Sequence, residues 1–139
     1  MPSCSDDHIA SAWEAIYTKF IIRVALNAAR NVRKLSLDVT PQDAQDCLQP
    51  GAAAAFSFVR AAILAFKEND IEEPSGKRGA LILIGTTAST RDNVVTSAFA
   101  ASKLGTRALS QSLAKECGKK IFVSPMYVCI QVFLPRFDF

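Results

Sequence analysis

Two apolar runs in this sequence end in side chains that could hold a polar ligand. Ala80-Leu81-Ile82-Leu83-Ile84 is followed by Gly85-Thr86-Thr87-Ala88-Ser89. The hydroxyls of Thr86 and Thr87 can hydrogen-bond a carbonyl oxygen. Phe99 stands thirteen residues after Thr86, and Lys103 is one helical turn further on. Residues four apart lie above one another on a helix, so Phe99 and Lys103 share a face. The other run, Phe20 to Leu26, ends at Asn27-Ala28-Ala29. Open parallel sheets bind ligands in the crevice beyond the carboxyl ends of their strands, which makes Asn27, Ala28, Thr86 and Lys103 the candidate contacts. Each has a structural alternative. Lys103 taken alone is a solvated helix lysine, Thr86-Thr87-Ser89 is a strand-end turn capping nearby backbone groups, and Asn27 bridges neighbouring loops by hydrogen bonds.

The elements that must position these residues follow from periodicity. Ser5 caps a helix with Asp6 and Asp7 in its first turn, and Ile9, Trp13, Ile16, Tyr17 and Phe20 give it one apolar face. Phe20 to Leu26 is short and rich in Ile and Val, as in a strand buried on both faces. Arg30 to Asp38 reads as a loop. Thr40-Pro41-Gln42-Asp43 is a helix start, with Thr40 as cap, Pro41 at the first helical position and Asp43 placed for a reciprocal cap. The helix runs to Lys67, with a kink or break at Pro50-Gly51. Between Ala52 and Phe66, Phe56, Val59, Ile63 and Phe66 are expected on one side. Glu68 to Arg78 is a solvated loop. Ala80 to Ile84 is the clearest buried strand, and a further helix spans Ser97 to Cys117, where Gly118 stops it. Ile121 to Val123 and Met126 to Leu134 are strand-like runs around Pro125. Helices alternating with apolar strands predict an α/β domain with a parallel sheet.

Composition narrows the classes of function. Half of the 139 residues are apolar and 21% are charged, the balance of a globular chain. A net charge of +3 without a basic block or interleaved aromatics argues against a nucleic-acid partner. No uninterrupted apolar run approaches the roughly twenty residues of a membrane helix, so no membrane partner is expected. Cys4, Cys47, Cys117 and Cys129 stand far apart and His8 is the sole histidine, which predicts reduced thiols, no metal site and, without a secretory signal, a cytoplasmic location.

Asn27-Ala28-Ala29, Thr86 and Phe99-Ala100-Ala101-Ser102-Lys103, in that order and spacing, resemble the short-chain dehydrogenase/reductase family. That family carries Asn-Ala-Gly after its fourth strand, an Asn in the next long helix, a Ser after the fifth strand and a Tyr-x-x-x-Lys motif about thirteen residues beyond. Ser97 to Glu116, with Arg107-Ala108-Leu109 inside it, is similar to the corresponding helix of a fungal-like subgroup in which Gly-Ala-Thr-Ala-Ser follows the strand. The resemblance covers Ala12 to Val123. It implies an incomplete Rossmann-like, doubly wound parallel sheet lacking its first βαβ half, forming one truncated domain over residues 1–139 with a divergent tail over 124–139. It also implies NAD(P) as cofactor, held by Asn27, Ala28 and Lys103.

The departures from the family pattern shape the functional expectation. Phe99 stands where the family's Tyr donates a proton, Gly51 stands near its helix Asn, and Thr86 replaces its Ser. Lys103 alone is unchanged. No Gly-x-x-x-Gly-x-Gly loop occurs in these residues. The expectation is a reductase-like chain with little or no activity alone. The alternatives are a carbonyl reductase in which Thr86 and Lys103 act with water as proton donor, and a non-catalytic module paired with a full-length reductase. Association as a homo-oligomer or heteromer is expected through the Ala-rich helix and the Lys103 helix, or through the exposed edge of the first strand.

Overall fold

The computed structural model describes Ser11 and residues 23–73, 75–91 and 93–128. Apart from Ser11, which is helical and exposed, the helix expected over Ser5 to Phe20, together with His8, Cys4, Cys129 and Phe133 to Phe139, lies outside the described residues. Three strands, β1 (Arg23–Leu26), β2 (Ala80–Thr86) and β3 (Phe122–Val128), form a parallel sheet in the order β1-β2-β3. Val24 lies opposite Leu81, and Ala80 opposite Phe122. Helices α1 (Pro41–Leu48) and α2 (Ala54–Glu68) connect β1 to β2, and α3 (Ser97–Cys117) connects β2 to β3. This is the parallel α/β arrangement of a partial Rossmann-like sheet.

Side chains alternate along a strand, and Leu81, Leu83 and Gly85 of β2 are buried while the residues between them are half-buried. Leu81 and Leu83 form a core with Val24, with Ala55, Val59, Ala62, Ala65 and Phe66 of α2, and with Leu109 and Leu113 of α3. Two expectations change here. Ala25 is exposed, because the core helices of the described residues cover the opposite sheet face from it; β1 is therefore not buried on both sides. Phe56 is 62% exposed and does not share the buried side of Val59 and Phe66; the small residues Ala55, Ala62 and Ala65 are buried with them, the close contact that an alanine-rich helix suits.

Helix α1 opens as its sequence predicts. Thr40 Oγ1 accepts the amide of Asp43 at 3.1 Å, and Asp43 accepts the amide of Thr40 at 2.9 Å. At Pro50-Gly51 the helical path widens into a π turn over Gln49–Ala53, in which the Ala54 amide donates to Gln49 O. Pro50 has no amide to give, and one extra residue in the turn absorbs that loss while the helical run continues. Taken with α1 and α2 the run covers Pro41–Glu68, with a mean hydropathy of 1.4 over its most apolar window, so by length and composition it could cross a membrane. Ala54, Ala55, Val59, Ala62, Ala65 and Phe66 are buried within the domain, as in the core helix of an α/β fold.

At the other end, the loop before β2 caps both long helices. Arg78 Nη1 donates to the carbonyls of Lys67 and Asn69 beyond α2, and Lys77 Nζ donates to Gly118 and Lys119 carbonyls beyond α3. Cations suit these helix ends, where carbonyls lack partners. The two runs expected around Pro125 are one strand. Pro125 lies opposite Leu83 on the outer strand of the described sheet, a place where a missing amide is tolerated. β3 extends through Val128, past the Ser124 boundary of the expected tail; residues 129–139 lie outside the described residues.

Candidate functional site

The carboxyl end of β2 turns at once into a single 3-10 turn, Thr87–Ser89. Ser89 is fully buried, and its Oγ accepts the Thr86 amide at 3.1 Å. Thr87 O accepts the amides of Thr90 and Arg91 at 3.0 and 2.8 Å. Ser89 and Thr87 thus fill the capping role. Thr86 shares in it, its side chain facing the Ser89 amide in a reciprocal capping arrangement; its Oγ1 is buried, and its hydroxyl proton has no acceptor among the described residues.

Helix α3 packs its amino-terminal half against this turn. Lys103 is 2% exposed and donates from Nζ to Ile84 O at 3.2 Å, so it is not a solvated helix lysine. Burial pushes its pKa below the ordinary lysine value, since desolvation disfavours the charged form. Phe99 is half-buried one turn earlier. One turn later, Arg107 Nη1 donates to Ser89 O at 3.3 Å, while its Nε is buried without a partner. Sequence reasoning had placed Arg107 only inside a resemblance. The signal that could have found it is spacing: Phe99, Lys103 and Arg107 stand at successive fourth positions, one stripe of the helix.

Gly51 is buried in the π turn, and Thr106 Oγ1 lies 3.5 Å from its carbonyl and 3.2 Å from that of Ser102. A Cβ on Gly51 would sit 1.8 Å from Ser102 Oγ, so a side chain here needs Ser102 to move. Ser102 Oγ is itself buried and unpartnered. Asn27 and Ala28 follow Leu26, which lies opposite Leu83, so the chain leaves β1 beside Ile84. Asn27 is exposed and makes no hydrogen bond among the described residues; the loops it was expected to bridge are joined by Lys34, whose amide donates to Val95 O at 3.0 Å. The side-chain ion pairs among the described residues, Arg30–Asp46 and Lys34–Asp43, lie along α1, and none reaches Lys103 or Arg107.

The profile of the short chain dehydrogenase family matches residues 9–133. A search of curated proteins finds no match. Among solved structures, a short-chain dehydrogenase from Rhodopseudomonas palustris is 26% identical with a TM-score of 0.75, covering 91% of this chain and 57% of its own. A short chain dehydrogenase from Mycobacterium smegmatis superposes with a TM-score of 0.80 at 18% identity, over 93% of this chain and 52% of its own. A gluconate 5-dehydrogenase from Burkholderia cenocepacia, solved in complex with NADP and tartrate, gives 0.74 at 15% identity over 91% and 48%. The chain thus spans about half the length of these solved relatives.

A nicotinamide dinucleotide is the group this likeness implies, and a glycine-lined turn entering a helix is what lets backbone amides surround its diphosphate. The connections leaving the carboxyl ends of β1 and β2, residues 27–40 and 87–96, contain no glycine. The described residues do not fit the diphosphate of that cofactor.

Proposed function

This chain belongs to the short-chain dehydrogenase family, and from that premise we propose that these 139 residues alone carry little or no hydride-transfer activity. The observation behind this is Phe99. Carbonyl reduction puts negative charge on the substrate oxygen, and an acid must protonate it. The stripe of α3 offers a phenyl ring at the rim, where the family pattern places a phenol, and the buried amine below it has Ile84 O as its partner. Thr86 Oγ1 can orient an oxygen by a hydrogen bond, but its alkyl hydroxyl is too weak an acid to replace a phenol.

The test is NADPH oxidation with a panel of aldehydes and ketones, alongside NADPH fluorescence titration. The purified chain is expected to turn over at the background rate and to show no saturable cofactor binding. Saturable micromolar NADPH binding would overturn this reading, and turnover lost in Lys103→Ala would support the second, in which Thr86 and Lys103 act with water as the proton source.

A separate observation favours self-association. A groove of about 710 Å³ runs between α2 and α3, lined by Phe56, Val59, Leu64, Ala108 and Leu109 among others. Phe56, Leu64 and Leu104 are 62, 44 and 45% exposed. These apolar side chains, with Arg60, Lys67 and Glu116 also lining the groove, suit an isologous contact with a second copy of the chain that would bury them on both.

A further inference from the structure

Lys103 and Arg107 are two cations on one stripe of α3, one turn apart. A helical side chain leans toward the helix amino terminus, so both reach back toward the carboxyl end of β2. Their contacts there are main-chain carbonyls only, Ile84 O for Lys103 and Ser89 O for Arg107. No carboxylate among the described residues pairs with either. Two further donors around the same turn are buried and unused, Arg107 Nε and Thr86 Oγ1. Buried polar groups are nearly always paired, and buried charge without a counter-charge is costly. A carbonyl satisfies one N–H of such a group and does nothing for its net charge. Four donor atoms, three of them on the two cationic side chains, therefore lie around Ile84 to Ser89 with no carboxylate among the described residues paired to them.

We propose that Lys103, Arg107 and Thr86 form a binding site for a small oxyanion, a phosphate or a carboxylate group, beneath the turn Thr87–Ser89. Arg107 supplies the planar donor pair that oxyanions favour, Lys103 supplies a point charge, and Thr86 supplies a hydroxyl. Desolvation depresses the Lys103 pKa in the free chain, and a bound anion opposes that shift by favouring the charged amine. This site is independent of hydride transfer. The basic cluster at the opposite end of the sheet is different in kind, because Arg78 and Lys77 there already complement helix carboxyl ends.

The test is titration of the isotope-labelled chain with sodium phosphate and, separately, sodium acetate, at ionic strength held constant with chloride, read by amide chemical shifts. The expected result is a saturable shift of Thr86 to Thr90 and Lys103, with a dissociation constant below about 1 mM for at least one of the two anions. Phosphate alone acting identifies a tetrahedral group, and acetate acting as well identifies carboxylate chemistry. Arg107→Gln is expected to weaken binding at least tenfold, as is Lys103→Met, with far-UV circular dichroism confirming that each variant folds. If neither anion gives a saturable shift, or if both variants bind as the parent does, the proposal is wrong.

Discussion

Gly51 and Ser102 should be strongly coupled. An alanine Cβ at position 51 would stand 1.8 Å from Ser102 Oγ and 3.2 Å from Ser102 Cβ, so the hydroxyl must leave its place. Forcing extra volume into a packed site costs about 1–3 kcal/mol. Replacing glycine by alanine inside a helical run returns about 1 kcal/mol, leaving Gly51→Ala destabilising by up to about 2 kcal/mol. Ser102→Ala acts in the other direction. Its Oγ is buried and unpartnered, and removing an orphaned hydroxyl relieves a penalty of about 1–3 kcal/mol, so the single variant is expected to be neutral or modestly stabilising. In that background only the 3.2 Å contact with Cβ remains, which a shift of a few tenths of an ångström relieves. Gly51→Ala should then be close to neutral, and the coupling should be up to about 2 kcal/mol. Urea denaturation of the four proteins, followed by circular dichroism at a common slope, measures it. An equal cost of Gly51→Ala in both backgrounds would refute the packing reasoning.

Asp43 is held at a pKa of about 2 by Lys34 and then by Thr40, so its capping contribution is present above the ordinary value of 3.8 and is lost as pH falls toward 2. The melting difference between the parent and Asp43→Asn should close over that interval, and a difference independent of pH would contradict it. Arg78→Ala removes donors from Lys67 O and Asn69 O and should cost about 1 kcal/mol in urea denaturation. Phe56→Glu places a charge in the α2–α3 groove and should convert a dimer to a monomer by light scattering; a parent that is monomeric at all concentrations removes that reading. Lys103→Met replaces a buried, uncompensated cation with an apolar chain of similar size, and should raise the urea midpoint in anion-poor buffer. Because the unfolded chain binds more protons than the folded one between the depressed and ordinary lysine values, the parent should gain on this variant as pH rises through that window.

The parts of the fold written in local chemistry were legible. Thr40, Pro41 and Asp43 announce their helix because capping needs only neighbours in sequence, and Ala80 to Ile84 announces its strand by an unbroken apolar run. The burial of α2 was misread at Phe56 because helical spacing gives a face without saying which face meets the sheet, and close approach favoured the alanines. Pro125 suggested a break in the strand because whether a missing amide matters depends on which neighbour the strand has, a tertiary fact. In the site, Thr86, Phe99 and Lys103 were found by their intervals along the chain. The contact between Gly51 and Ser102 links positions about fifty residues apart, and nothing in the sequence marks it.

The change at Phe99 also bears on the lysine below it. Where a phenol stands one turn before an amine, the two can share a proton, and the amine's charge has a chemical use. A phenyl ring ends that exchange and adds apolar surface at the rim of the stripe. The amine stays buried against Ile84 O with no carboxylate paired to it, and the half-buried Arg107 reaches Ser89 O with its Nε buried and unpartnered. Such an arrangement has two ways to lower its free energy: the lysine gives up its proton, or the site takes in an anion. Deprotonation settles Lys103 but leaves Arg107 charged, since a guanidinium keeps its proton in proteins, and leaves Nε and Thr86 Oγ1 without partners. An oxyanion answers all four donors at once. Loss of the acid and persistence of the cations are therefore compatible on one helix face, provided the face has moved from donating protons to holding negative charge.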